Sequence, residues 1–185
     1  MRQLTTLAAA VALSGTALGA ALLAPAMADT PHDSHGVAKG QNATLAQVKK
    51  SLRPMQDSPA AAEAAGYTPT TVCTESPAGG MGYHYVNYSL AVAAPDPLKP
   101  SVLVYVPAGN GRLTLGAAEW FQPDADQDTS TDSDRPSLFN REFDGPMLGH
   151  EPGMPVHYDL HAWLFTPNPK GVFQPWNPTV HCPAP

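Results

Sequence analysis

The segment after residue 41 carries an apolar pattern with helical spacing. Four apolar residues follow one another at intervals of three or four positions and so share one helix face: Leu45, Val48, Leu52 and Met55. We expect this helix to begin at an Asn42 cap and to end near Pro54, because proline lacks the backbone N–H that a helix interior requires.

A second short helix is predicted directly afterwards, in the segment "SPAAAEAAGY". Ser58 is a favoured N-cap residue, Pro59 then occupies the first helical position, and Gly66 lies just past the end. The small alanine side chains of this helix suit close packing on a sheet.

From Cys73 onward the pattern changes to that of β-strands. Four segments alternate or run apolar: "GMGYHYVNYSLAVA", "SVLVYVP", "RLTLGAAEWFQ" and "VHYDLHAWLF". We therefore predict an α+β fold, in which short N-terminal helices pack on about four or five mainly antiparallel strands. The strands are expected to form a curved sheet or an open small barrel, and a cupin-like β-roll is the alternative.

An acidic loop interrupts the strand pattern at residues 122–137. Asp124, Asp126 and Asp128 alternate there as the first ligands of an EF-hand calcium loop do. The sixth position lacks the required glycine, and Arg135 occupies the twelfth position, where a bidentate Glu belongs. This departure favours a solvated loop over a calcium loop.

Residues 1–28 have the pattern of a secretory signal peptide. A basic start with Arg2 precedes a long Ala- and Leu-rich run, and the small residues of "AMA" predict cleavage near Ala28. Residues 29–41 show no apolar period and are predicted to be a flexible tail, which leaves residues 42–185 as a single domain. The mature protein is therefore expected to be secreted, without integral membrane association.

The charge balance narrows the classes of partner. The chain of 185 residues carries 10 Lys and Arg against 16 Asp and Glu, a net charge of −6, and removal of Arg2 with the signal peptide makes it more acidic. An acidic domain lacks the basic surface that binds nucleic acid or anionic membranes. A small-molecule ligand remains the candidate partner.

The two cysteines are predicted to form a disulfide. Cys73 and Cys182 are the only cysteines, and disulfides persist in an exported protein. The bridge would close a loop of roughly 110 residues, which is worth about 4–5 kcal/mol in the chain-entropy model. We expect it to fix the C-terminal segment beside the start of the β region.

Polar residues with metal-binding chemistry occupy the predicted strand "VHYDLHAW". With a period of two, one face of this strand carries His157, Asp159, His161 and Trp163. His157 and His161 then lie about 13 Å apart, so both bind one ion only if the strand is bent or bulged. His161 is therefore expected to act with residues from neighbouring strands.

Those neighbouring strands offer two partners for His161. His84 lies in "YHYVNY", and Glu119 lies in the otherwise apolar "GAAEWF", where a lone carboxylate is costly unless it is paired or ligated. Together the three residues form a two-His, one-carboxylate set that suits a divalent transition metal: Zn, Fe, Mn or Cu. A metal-free acid–base site and a buried hydrogen-bond network are the alternatives.

Other residues rank below this set as candidates. His157, Asp159 and His150 are second-tier metal ligands, and His150 lies in a proline-bracketed loop where a plain surface position is the alternative. The sequence contains neither a G-x-S-x-G elbow nor an H-E-x-x-H helix, which argues against the common hydrolase classes. Whether the protein is an enzyme stays open at this point.

Several long motifs resemble those of a family of secreted bacterial proteins. The motifs are "AAAEAAGY", "GMGYHYVN", "LFNREFDGPMLGHEPGMPVHYDLHAWLF" and "NPKGVFQPWNPTVHCP". The resemblance runs from about Pro59 to the C-terminus, and a glycine is expected in that pattern where this chain has Asn140. It implies a secreted single-domain protein, and it transfers no catalytic residue because the family has no established activity.

The sequence thus leaves three hypotheses for the function. The first is a secreted protein with a His/Glu pocket that binds a divalent metal. The second is a non-enzymatic module that binds a small ligand, with Trp120 or Trp163 lining an open pocket. The third is a structural module associated with the cell envelope.

Overall fold

The fold combines a few short helices with one large curled sheet. A computed structural model describes residues 43–150 and 153–184 of the chain. The predicted signal peptide at 1–28, the predicted tail at 29–41 and the Asn42 cap lie outside the described residues. Over the described part, six antiparallel strands form a half-barrel sheet, so the predicted α+β class with a curved sheet is confirmed.

The helices are α1 (Leu45–Leu52), α2 (Pro59–Ala64) and α3 (Tyr88–Ala91), with a 3₁₀ turn at Arg53–Met55. The strands are β1 (Thr68–Ser76), β2 (Gly79–Val86), β3 (Val102–Pro107), β4 (Leu113–Pro123), β5 (Ser137–Leu138), β6 (Arg141–Glu142), β7 (Asp144–Met147) and β8 (His157–Trp163). The large sheet has the order β1-β2-β3-β4-β8-β7, and β5 pairs with β6 in a separate hairpin.

Helix α1 begins two residues later than the sequence pattern suggested. Thr44 is the N-cap, since its hydroxyl accepts from the amide of Gln47 while the Gln47 side chain accepts from the amide of Thr44. This reciprocal capping box satisfies two backbone donors at once. The cap of α1 is therefore Thr44 and not the predicted Asn42, which itself lies outside the described residues.

Helix α2 follows the sequence prediction. The Ser58 side chain accepts from the amide of Ala61, Pro59 occupies the first turn, and Gly66 follows the last turn with a φ of 93°. That left-handed conformation is one that glycine adopts without a steric cost. The helix pattern in the sequence was sufficient here.

The strand prediction was incomplete in two places. Strand β1 was not predicted, because its mostly exposed residues give little apolar alternation. The segment "YSLA", which was included in a strand, instead forms α3 with Asn87 as its N-cap. In the β5–β6 hairpin, Phe139 and Asn140 have φ values of 53° and 57°, as a tight hairpin turn requires.

The central strands of the large sheet, β3, β4 and β8, are buried on both faces. One face belongs to the main core, which contains residues of α1, α2 and the sheet: Val48, Leu52, Ala62, Tyr85, Leu103, Tyr105, Leu115, Ala118, Trp120, Tyr158 and Leu160. The opposite face has a smaller apolar cluster: Val104, Val106, Ala117, Trp163 and Val180. The polar residues considered below share this second face because side chains alternate along a strand.

The C-terminal segment is fixed against the first two strands. Cys73 and Cys182 form the predicted disulfide, with 109 residues of sequence separation. The amide of Gly80 donates to the carbonyls of Asn177 and Val180, and the Glu75 carboxylate accepts from the amide of Cys182. No helix among the described residues has the length and apolarity needed to cross a membrane.

Candidate metal centre

Three neighbouring pairs of strands bring His84, Glu119 and His161 together. In the antiparallel register His84 lies opposite Val104, Val102 lies opposite Glu119, and Glu119 lies opposite His161. His84 and His161 therefore approach Glu119 from either side of strand β4. Their side chains lie on the sheet face that also carries the apolar cluster of Val104, Val106, Ala117, Trp163 and Val180.

The ligand atoms of these three residues form a tight group, here called the His–Glu–His trio. The Nε2 atom of His84 lies 3.5 Å from Oε2 of Glu119, and Nε2 of His161 lies 3.4 Å from the same oxygen. All three atoms lie within 4.8 Å of one another, and among the described residues no other set of three His, Cys, Asp or Glu residues meets that distance. The trio has the composition of a group that holds a metal ion.

The trio is deeply buried. The side chains of His161, Glu119 and His84 are 1%, 7% and 16% exposed, respectively. Neither Oε2 of Glu119 nor either ring nitrogen of His161 has a hydrogen-bond partner within the described residues. Since a charge-assisted N–H···O bond spans about 2.7–2.9 Å, the observed separations are too long for a well-formed hydrogen-bond network.

Burial and neighbouring charges set the protonation of the trio. Burial, assisted by the charges of His161 and His150, lowers the pKa of His84 to about 3, so this imidazole is neutral at pH 7. Burial raises the pKa of Glu119 to about 7, although the positive charge of His161 opposes this increase. A neutral imidazole is the form that binds a metal ion.

The protonation of His161 follows from two carboxylates. Burial by itself lowers the pKa of His161, but Glu119 and Asp159 outweigh burial and raise that pKa to about 9. Without a metal ion, His161 therefore carries a proton at pH 7. Binding of an ion through Nε2 has to displace that positive charge.

Asp159 stands behind the trio on the same strand as His161. Its Oδ1 lies 3.5 Å from Nδ1 of His161, the ring nitrogen that faces away from Glu119. Burial raises the pKa of Asp159, but the nearby positive charges of His161, His157 and His150 lower that pKa overall. An ionised carboxylate at Nδ1 orients the ring, as the outer partners of metal-bound histidines do.

The other second-tier candidates do not join the trio. His157 is fully buried, its ring stacks on Phe121 at 4.6 Å between centroids, and its Nδ1–H donates to the carbonyl of Pro155. His150 is exposed, with its ring centroid 5.7 Å from that of His157. Of the second-tier residues, only Asp159 touches a member of the trio.

One nearby carboxylate was missed at the level of sequence. Asp144 lies directly opposite Asp159 in the β7–β8 pairing, and burial and the charge of Asp159 raise its pKa. Strand β7 has only four residues and no apolar alternation, so no local pattern predicts its pairing with β8.

Both tryptophans suggested as a ligand platform belong to the interior. Trp120 and Trp163 are 1% and 4% exposed, and their indole N–H groups donate to the carbonyls of Asp96 and Gln174. Two surface depressions, of about 510 and 550 Å³, are lined by residues of α1 and by residues around α2 and the β3–β4 turn. Neither tryptophan lines them, and neither depression includes the trio.

Comparison with known proteins adds no name to this site. No family model, no curated protein and no solved structure matches the chain. The resemblance to a family of secreted bacterial proteins stays a prediction.

Proposed function

We propose that the protein is a secreted metal-binding protein, in which the His–Glu–His trio holds one divalent transition-metal ion. The observation that carries this proposal is the pair of distances from Oε2 of Glu119 to the Nε2 atoms of His84 and His161, 3.5 and 3.4 Å. Two buried imidazoles and a carboxylate without hydrogen bonds of ordinary length are costly unless something else satisfies them.

The same distances favour zinc among the candidate metals. Ligand atoms bound about 2.0–2.1 Å from a tetrahedral ion lie about 3.4 Å apart, whereas adjacent ligands of an octahedral ion lie about 3.0 Å apart. The two separations from Oε2 of Glu119, 3.5 and 3.4 Å, fit the tetrahedral case. Zinc is the common tetrahedral ion for two imidazoles and one carboxylate, and Fe, Mn and Cu are the alternatives that a metal analysis distinguishes.

Three protein ligands leave one tetrahedral position for a ligand from solution. Structural zinc sites have four protein ligands, whereas catalytic sites have three and keep the fourth position exchangeable. His84 is the most exposed member of the trio, so its side offers the approach for an external ligand. This composition supports a reactive or ligand-exchanging centre over a purely structural ion.

The first test is metal analysis of tag-free protein. We expect one zinc ion per chain, and a rise in melting temperature when Zn²⁺ is added to protein stripped with a chelator. The isosteric change Glu119→Gln should remove the metal, and the matched change Glu63→Gln on the exposed side of α2 should retain it. Absence of stoichiometric metal, together with an unchanged melting temperature on adding Zn²⁺, Cu²⁺, Mn²⁺ or Fe²⁺, would contradict the proposal.

Secretion is a separate part of the proposal with its own test. A disulfide and the lack of a membrane-spanning helix in the described residues are compatible with an exported protein. Expression of the full sequence in a secreting bacterium should give an extracellular product that begins at or near Asp29. A product that keeps Met1 and stays in the cytoplasm would contradict export.

A further inference from the structure

A second buried carboxylate lies outside the metal centre, at the start of the acidic loop. Asp124 is 2% exposed, and neither of its carboxylate oxygens has a hydrogen-bond partner within the described residues. Gln122, two positions earlier and near the end of strand β4, likewise has a buried Oε1 without a partner within the described residues. A solvated loop was expected here, but the first aspartate of the loop belongs to the interior.

The groups around Asp124 carry negative charge. Burial raises the pKa of Asp124, and the carboxylates of Asp126 and Asp134 raise it further. The nearby amide of Asp128 opposes this increase without making a hydrogen bond of ordinary geometry. The Arg135 guanidinium is committed to Asp132 and to the carbonyl of Phe143. Among the described residues, no Lys or Arg forms a salt bridge with Asp124.

Each of the two flanking carboxylates accepts two hydrogen bonds from neighbouring donors. Asp134 accepts from the amide of Ala125 at 2.8 Å and from the hydroxyl of Tyr158 at 2.9 Å. Asp126 accepts from the amide of Asp128 and from the hydroxyl of Thr131. Each carboxylate oxygen has two lone pairs, so every one of these oxygens keeps acceptor capacity for a cation.

We propose that the acidic loop binds one calcium ion. Asp124 would hold the ion from the buried side, and Asp126 and Asp134 from the exposed side. The side-chain oxygen of Gln122 would be a further ligand. The site is distinct from the His–Glu–His trio and does not depend on it. An ion there supplies the positive charge that no side chain provides.

The chemistry of the donors selects calcium over a transition metal. All four groups are oxygen donors, which hard cations prefer. The three carboxylates do not meet the 4.8 Å distance that the trio meets, so the exposed Asp126 and Asp134 have to turn inward to reach an ion held by Asp124. Calcium accepts six to eight oxygens at about 2.3–2.6 Å in flexible geometry, whereas magnesium demands a tighter octahedron.

The ligand spacing explains why an EF-hand template does not describe this loop. In an EF-hand the twelfth residue closes the site, but here Arg135 contacts Asp132 and Phe143 instead. Closure comes from Asp134, which the Tyr158 hydroxyl ties to strand β8. Calcium binding would therefore fasten the loop to the sheet.

The test is calorimetric titration of CaCl₂ into tag-free, chelator-treated, zinc-saturated protein. We expect one calcium ion per chain with a Kd of about 0.1–1 mM, the range of weak extracellular calcium sites, and weaker binding of Mg²⁺. Asp124→Asn and Asp126→Asn should each weaken calcium at least about tenfold, since affinity follows the number of charged ligands. Asp132→Asn is the matched control in the same loop and should change the affinity by less than about twofold.

Two results would overturn the calcium site. One is no saturable heat and no shift in melting temperature up to about 10 mM Ca²⁺, far above the expected Kd; Asp124 would then be a protonated acid beside Asp126. The other is an equal loss of affinity in Asp124→Asn and Asp132→Asn, which indicates diffuse attraction to an acidic surface. Should Asp124→Asn fail to fold, Asp126→Asn decides, because that side chain is exposed.

Discussion

Two buried carboxylates, Glu119 and Asp124, face opposite surroundings within one strand and its extension. Glu119 lies between two imidazoles, and His161 opposes the rise in its pKa that burial causes. Asp124 lies near two further carboxylates, which add to the rise that burial causes. Burial disfavours the ionised form of both carboxyl groups, but their neighbours differ. Glu119 has nitrogen donors beside it, which suit the proposed transition metal, whereas Asp124 has only oxygen donors, which suit the proposed calcium ion.

The largest expected effect is the loss of zinc affinity when a side chain of the trio is replaced. Glu119→Gln or His161→Asn should weaken zinc at least about 100-fold, more than the loss of an outer partner usually costs. The calcium affinity of these two variants should be unchanged. Asp126→Asn should instead weaken calcium binding and leave zinc binding unchanged. A variant of the trio that loses both ions equally would break the comparison.

Acidification should also affect the two sites differently. Zinc has to displace protons from His161, with a pKa of about 9, and from Glu119, with a pKa of about 7. Zinc affinity should therefore fall as the pH is lowered from 9 to 6, most steeply below 7, while calcium affinity changes little. Titrations at several pH values in that range measure both affinities. A zinc affinity independent of pH would contradict binding of zinc by His161 and Glu119.

The metal-free protein should show the opposite trend in stability. Because folding raises the pKa of His161 from 6.5 to about 9, its contribution is fully present below pH 6.5 and is lost as the pH rises through 9. Zinc should therefore raise the melting temperature more at pH 9 than at pH 6. Thermal melts with and without Zn²⁺ test this, with Glu119→Gln as the variant in which the difference disappears.

Asp159 gives a smaller effect because it acts through His161. Asp159→Asn should weaken zinc about 10- to 100-fold, the usual cost of losing an outer carboxylate partner. The one-to-one stoichiometry should persist, since His84, Glu119 and His161 remain. Retention of full affinity would show that Asp159 does not position the ring.

The smallest effect concerns stability without calcium. In calcium-free solution Asp124→Asn should raise the melting temperature slightly, because it removes a buried charge beside Asp126 and Asp134. In saturating calcium the wild type should become the more stable of the two. Melting curves without calcium and in saturating calcium measure this reversal of the order of stability. A variant that is less stable than the wild type in both solutions would contradict the prediction.

The elements that the sequence predicted are those whose buried residues recur periodically. The elements that it missed are strands defined only by hydrogen bonding to a neighbouring strand. Helix α2 and strands β3, β4 and β8 follow from local patterns, and Glu119 was noticeable because it interrupts an apolar strand. Strands β1 and β7 have little apolar alternation, so only their partners define them. The burial of Asp124 arises from the return of the loop to strand β8, which no local pattern records.

The disulfide between Cys73 and Cys182 bears on the order in which the surroundings of the trio fold. All three members of the trio precede residue 162, yet Val180 completes the apolar cluster with Val104 and Ala117 on the same sheet face. That residue is held by Gly80 and lies two positions before the bridged Cys182. The apolar surroundings of the trio are therefore complete only when the segment around Val180 has packed beside Gly80. Under the proposed function, we expect metal uptake into the completed site to follow formation of this disulfide in an oxidising compartment.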